Sequence, residues 1–172
     1  MEIPDNINVD LALFTKDLSS EDELGAVIRA RIRIENLLLK AIESLTPRPK
    51  HLKKLNLDYD GQVTLALALG LKERFGPPFR ALGKLRNDFA HKIDMQLSKP
   101  SVANLYSCLG AEEKEQVQGC FIRIKDNNEE IRRVQRFTDL EPIDQFKLIT
   151  VTLWAVAQAV VLLFPDDHSA ET

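Results

Sequence analysis

The chain "SSEDELGAVIRARIRIENLLLKAIESL" sets the first pattern. Stepping about 100° per residue puts Leu24, Val27, Ile28, Leu38, Leu39 and Ile42 on one stripe, which predicts an amphipathic helix. Ser20-x-x-Glu23 ahead of it has the spacing of a capping box, and Pro47 and Pro49 close it. Arg29, Arg33, Asn36 and Lys40 fall on the opposite side, where charge belongs. Arg31 and Glu35 fall inside the apolar stripe, where it does not.

Further along, "QVTLALALGLKERF" predicts a short helix that ends before Gly76-Pro77-Pro78. The next helix, starting near Pro78 or Phe79, holds Leu82, Leu85, Phe89 and Ile93 on one face. Lys99-Pro100-Ser101 reads as a turn, "SVANLYSCLG" as another short helix, and residues 111–136 as helical in parts with a break at "KDNNEE". Pro142 suits the first turn of a last, strongly apolar helix. Nothing alternates with period two. The pattern predicts an all-α, single-domain bundle of five to seven helices over residues 20–165, with a polar tail at 166–172 and a lead-in at 1–19 that reads as loosely ordered or as holding a short helix around "VDLALFTKDL".

The apolar run "LITVTLWAVAQAVVLLF" at 148–164 is shorter than the ~20 residues a membrane span needs, and Thr150, Thr152 and Gln158 interrupt it. It reads as a core helix or one shared with a partner subunit, and no membrane association is expected. The N-terminal stretch lacks a basic, then apolar, leader pattern. Cys108 and Cys120 are too few for a disulfide framework and read as reduced thiols, which implies a cytoplasmic protein.

Composition narrows the chemistry. A length of 172 residues with 44% hydrophobic and 28% charged residues suits one globular core. The net charge of −3 gives no global field to gather nucleic acid, so any such contact needs a local patch. The clearest patch is "RPKHLKK", with Arg48, Lys50, Lys53 and Lys54; it reads either as a solvated connection or as the flank of an RNA groove. There is no Gly-rich phosphate loop, no paired CxxC and no HExxH, and His51, His91 and His168 are far apart. No metal or cofactor is expected.

The stretch "LRNDFAHK" concentrates the candidate chemistry. One reading is a helix end: His91 and Lys92 would suit the negative pole of the helix, and Asp88 would pair with Lys84 or Lys92. The other is a site. Likewise, Arg31 and Glu35 read either as an internal ion pair or as groups that reach across to line a cleft with Arg86 and His91.

Arg86-Asn87-x-x-x-His91 resembles the Arg-polar-x-x-x-His signature of the HEPN superfamily, all-α domains that include many metal-independent ribonucleases. "ELGAVIRARIRIENLLLKAI", "ALALGL" and "ALGKLRNDFAHKIDMQLS" follow one another much as in its mannitol operon repressor branch. The resemblance covers residues 20–110. It implies a homodimer whose two motifs share a cleft between subunits, with RNA as substrate. The repressor branch implies an alternative: a non-catalytic transcriptional regulator or interaction module working through a protein partner.

Metal-free RNA cleavage needs a group to move protons and a cation to hold the phosphate. His91 titrates near neutrality and suits the first task. Arg86 suits the second, and Asn87, four residues before His91, is placed to orient the imidazole. On a regular helix, positions 86 and 91 point about 140° apart. Either the helix distorts there or two chains pool their motifs.

Overall fold

The apolar C-terminal segment folds as the central helix of the molecule. The computed structural model describes residues 5–91 and 95–163. Lys92, Ile93 and the tail at 166–172, with His168, lie outside the described residues. The helices are α1 (Asp5–Ser19), α2 (Glu23–Leu45), α3 (Tyr59–Ala68), α4 (Gly76–His91), α5 (Lys99–Ser107), α6 (Ala111–Asn127), α7 (Glu129–Arg132) and α8 (Pro142–Leu163). Shorter 3₁₀ turns cover Pro49–Leu55, Glu73–Phe75 and Phe137–Asp139. No strand occurs among the described residues. The protein is an all-α bundle, with eight α-helices among the described residues where the sequence predicts five to seven.

The difference in number lies in α7, a single turn of 4 residues, and in α1. The lead-in, where the sequence predicts at most a short helix over residues 9–18, is helical from Asp5 to Ser19 and enters the core through Phe14 and Leu18, each 1% exposed. Phe14 stacks on Trp154 of α8 with ring centroids 5.6 Å apart. Because α1 runs to Ser19, the Ser20 hydroxyl closes that helix by donating to the Asp17 carbonyl, and the predicted capping box does not form. Asp22 caps α2 instead, accepting from the Gly25 amide at 2.7 Å. Glu23 is thereby free to accept from the Leu97 amide at 2.6 Å, tying the start of α2 to the chain beyond α4.

Helix α8 is long and apolar enough to cross a membrane, but 56% of its most apolar window is buried inside the fold. Phe146, Ile149 and Leu153 are fully enclosed, with α2, α1, α5 and α6 packed around the helix. Its inward hydroxyls are satisfied locally: Thr150 and Thr152 donate to the carbonyls of Phe146 and Leu148 at 2.9 and 3.1 Å. A buried hydroxyl with such a partner costs little, which is why a polar interruption is tolerated at the centre of the core.

Helix α2 is rotated relative to the stripe its sequence predicts. The residues it buries are Ala26, Val27, Ala30, Ile34, Leu37, Leu38, Ala41 and Ile42, whereas Leu24 and Leu39 are 43% and 37% exposed. The buried face is turned by roughly a quarter turn from the predicted one. The three alanines explain the shift: they let α2 lie close along α8, and close packing there outweighs burying the larger residues on the neighbouring stripe. Arg31 and Glu35 consequently sit on the flank of the buried face, not at its centre.

Two punctuation points then fix α4. Gly70, at φ +113°, ends α3 in a Schellman motif, with the Leu71 amide on the Ala66 carbonyl and the Gly70 amide on that of Leu67. Pro77 and Pro78 occupy the first turn of α4, where a missing amide hydrogen costs nothing.

Candidate functional site

Helix α4 buries Phe79, Leu82, Leu85 and Phe89, the predicted face as far as the described residues reach, and so turns its remaining side chains outward. Between them, Gly83 takes the ring of Tyr59. A Cβ at Gly83 would fall 2.6 Å from the Tyr59 Cδ1, so only glycine lets α3 and α4 approach this closely. Tyr59 is 8% exposed, and its hydroxyl is buried without a hydrogen-bond partner. The Arg31 guanidinium lies over the ring, 4.5 Å from its centroid, and pairs with Glu35. Burial drives the phenol pKa well above the ordinary tyrosine range; Arg31 pulls it down and Glu35 raises it further. Tyr59 is therefore a neutral hydroxyl at any physiological pH and no general base.

Above this stack opens a cavity of about 370 Å³ lined by Arg31, Asp58, Asp60, Arg80, Lys84, Asn87 and Asp88 along with Tyr59 and Gly83. Its charges are partly committed. Arg80 donates to Asp60 at 2.7 Å and to the Thr64 hydroxyl at 2.9 Å, and Asp58 caps α3 through the Gly61 amide at 2.8 Å. Arg31 holds Glu35. Lys84, Asn87 and Asp88 remain at the rim.

The residues singled out in the sequence divide between two openings. Asn87 and Asp88 line the first with Arg31. His91 is exposed in a second cavity of about 560 Å³, with Asp22, Glu23 and Leu24 from the start of α2 and Phe89, Ala90, Met95 and Gln96 around it. Arg86 is half-buried and lines neither of these cavities; its guanidinium lies 3.4 Å from the Asn87 side-chain oxygen. Glu35 lines neither and acts through Arg31. Helix α4 stays α-helical through His91, so no distortion within it brings Arg86 and His91 to one point.

The basic residues Arg48, Lys50, Lys53 and Lys54 are all exposed, on or beside the 3₁₀ turn Pro49–Leu55 that follows α2. They stand at the end of α2 opposite to His91. Cys108 and Cys120 are free and half-buried. Among the described residues no three His, Cys, Asp or Glu side chains converge as a metal set would.

Tyr59, Gly83, Arg80 and Asp60 were not singled out in the sequence, although they build the first cavity. The one available signal was Gly83 itself, a glycine in mid-helix where alanine would ordinarily be favoured.

No protein-family model, curated protein or solved structure matches this chain. Its all-helical architecture is compatible with a HEPN-like domain.

Proposed function

We propose that the protein is a HEPN-like, cytoplasmic homodimer that cleaves RNA without a metal, with Arg86, Asn87 and His91 of both copies forming the site. The observation that carries this reading is the outward display of the motif. His91 and Asn87 are exposed at the end of α4 and Arg86 is half-exposed beside them, while the fold is held by the opposite face of the same helix. A histidine, an amide and an arginine that packing does not use are free to do chemistry. In the scheme, His91 moves the proton of the 2′-hydroxyl or of the leaving 5′-oxygen, and Arg86 holds the phosphate charge as it develops. Arg31 and Asp88 support the wall of the adjoining cavity. Arg48, Lys50, Lys53 and Lys54 supply the local positive surface that a net charge of −3 otherwise denies the chain.

The test is incubation of the EDTA-treated protein with total RNA and with tRNA, beside His91→Ala and Arg86→Ala. The expected result is cleavage leaving a cyclic phosphate, with losses of about 10²–10⁴-fold in the His91 variant. Cleavage that persists in His91→Ala, or none by the parent across several RNA classes, overturns the reading.

A second reading has its own support. The cavity beside Asn87 sets Asp58, Asp60 and Asp88 against Arg31, Arg80 and Lys84, a balanced surface and not a basic one. That suits a protein partner, as for a non-catalytic regulator or a toxin held by an antitoxin, better than a polyanion. Binding of a purified partner that is lost on reversing Lys84 and Asp88 together, with no RNA cleavage, would favour it.

A further inference from the structure

A further cavity lies away from the motif, where the turn before α4 meets α6 and the far half of α8. It holds about 370 Å³ and is walled by Leu71, Phe75, Val156 and Val160, with Ala155 and Ala159 exposed at its mouth. The two alanines keep α8 thin on this side, in a helix otherwise rich in valine and leucine. Arg74 of the turn Glu73–Phe75 and Glu113 of α6 also line it. Glu113 is 2% exposed and its Oε2 has no hydrogen-bond partner; the Nε of Arg74 is likewise buried without one. Buried polar atoms are nearly always paired in a folded protein. Here an unpaired donor and an unpaired acceptor belong to two side chains that border the same apolar cavity.

We propose that this cavity binds a small neutral molecule with an apolar body and a carboxamide head, which accepts from the Arg74 Nε–H and donates to the Glu113 Oε2. The charge balance selects the head. Lys72 and Arg74 stand against Glu112 and Glu113, so neither an anion nor a cation gains from the site as a whole. A carboxylate would accept from Arg74 but face the Glu113 carboxylate in the same contact, and an ammonium would meet Arg74 in the same way. A carboxamide sets an oxygen and an NH₂ group side by side and serves both atoms without adding charge. The apolar walls select the body, because burying methylene groups against them is favourable. Entry is beside Arg74. Its side chain is 35% exposed, rests 5.0 Å over the Phe75 ring and bonds to Glu112, which is 65% exposed, so it yields to an incoming head at little cost. The site adjoins the start of α4, about 22 Å along that helix from His91, and depends on neither functional reading above.

The experiment titrates the full chain with hexanamide, hexanoate and hexylamine, three probes that share one apolar body and differ in the head. Binding is read from the NMR shifts of backbone amides around the cavity. Hexanamide is expected to bind at about 1 mM, which suits its few atoms, and the two charged probes at least about tenfold more weakly. Ala159→Phe, at the exposed mouth, is expected to abolish the hexanamide shifts and leave the thermal melt unchanged. Glu113→Gln is expected to move the preference. Its side chain then donates to the head as well as accepting, so hexanoate gains about tenfold over its binding to the parent while hexylamine does not. A purely structural Glu113 would change none of these ratios. Should Glu113→Gln fail to fold, the probe ratios on the parent and on Ala159→Phe decide the matter alone. Equal binding of all three probes makes the cavity an apolar groove only and overturns the proposal. So does the absence of hexanamide binding at about 20 mM, or binding indifferent to Ala159→Phe. Concentration-dependent dimers that Ala159→Phe disperses would give the groove to a second copy of the chain and overturn it as well.

Discussion

The Cα of Gly83 on α4 lies against the ring of Tyr59 on α3, so close that an added Cβ would stand 2.6 and 2.8 Å from two ring carbons. That contact lets Tyr59 pack beneath the Arg31 guanidinium and fixes the floor of the cavity that Asn87 and Asp88 overlook. A residue of no apparent chemistry thereby positions the wall next to the candidate site.

Gly83→Ala sets two effects against each other. Alanine in a helix interior gains about 1 kcal/mol over glycine. Forcing a methyl group into a closed contact costs about 1–3 kcal/mol. Tyr59 cannot swing away, because it is enclosed by α2 and α4, so the clash wins. A thermal melt should show Gly83→Ala less stable than the parent by several degrees. A melt at or above that of the parent would mean the helices can part at no cost.

Tyr59→Phe removes a hydroxyl that is buried without a partner, so at neutral pH it should leave stability unchanged or raise it by about 1 kcal/mol. The pH dependence supplies a sharper test. The folded pKa is raised above the unfolded value, so the neutral phenol contributes its stability fully below about pH 10. Above that pH the unfolded chain loses the proton and the folded chain keeps it, and stability falls as pH rises. Denaturant midpoints between pH 9 and 11 should drop less in Tyr59→Phe than in the parent. Parallel curves would show that the hydroxyl is open to water.

Arg31 and Glu35 are 19% and 18% exposed, between a surface pair and a buried one. Exposed pairs are worth about 0–1 kcal/mol, and stranding a buried charge costs about 3–5 kcal/mol. Glu35→Ala should accordingly cost about 1–2 kcal/mol, since the Arg31 it leaves still rests on the Tyr59 ring and reaches the cavity. Arg31→Ala should cost more, because it also uncovers Tyr59. Urea titration of the two single variants and the double variant measures both the order and the coupling.

Much of the architecture was legible because helical periodicity is local. The positions of α4 and α8 and the break after α6 follow from local sequence and apolar spacing alone, whereas Lys99-Pro100-Ser101, which reads as a turn, is the first turn of α5 behind the Ser98 cap, where a proline fits without loss. The register of α2 was not legible. Ala26, Ala30 and Ala41 look unremarkable in a hydrophobicity pattern, and only the closeness of α8 shows why they face inward. The motif at 86–91 was legible as a cluster, and so was the 140° offset that a regular α4 preserves. The division of Asn87 and His91 between two cavities depends on α2 and α3 lying on either side, which no spacing along α4 reveals.

Glu113 on α6 lies beyond residues 20–110, which the family resemblance covers, and it carries the last expectation. It is 2% exposed, its Oε1 lies 3.3 Å from the Arg74 guanidinium, and its Oε2 is buried without a hydrogen-bond partner. Arg74 also bonds Glu112, whose carboxyl it holds below the usual range, but Glu112 is 65% exposed and water can replace that partner. Water cannot replace Arg74 for Glu113. The cation thus matters to the fold through the acid it hides rather than the one it displays, and it fastens the turn before α4 to the start of α6. Arg74→Ala should melt well below Glu112→Ala, and adding Glu113→Gln to Arg74→Ala should recover part of the loss by removing the stranded charge. Equal melts for Arg74→Ala and Glu112→Ala would show that the displayed pair, not the hidden one, is what α4 is fastened by.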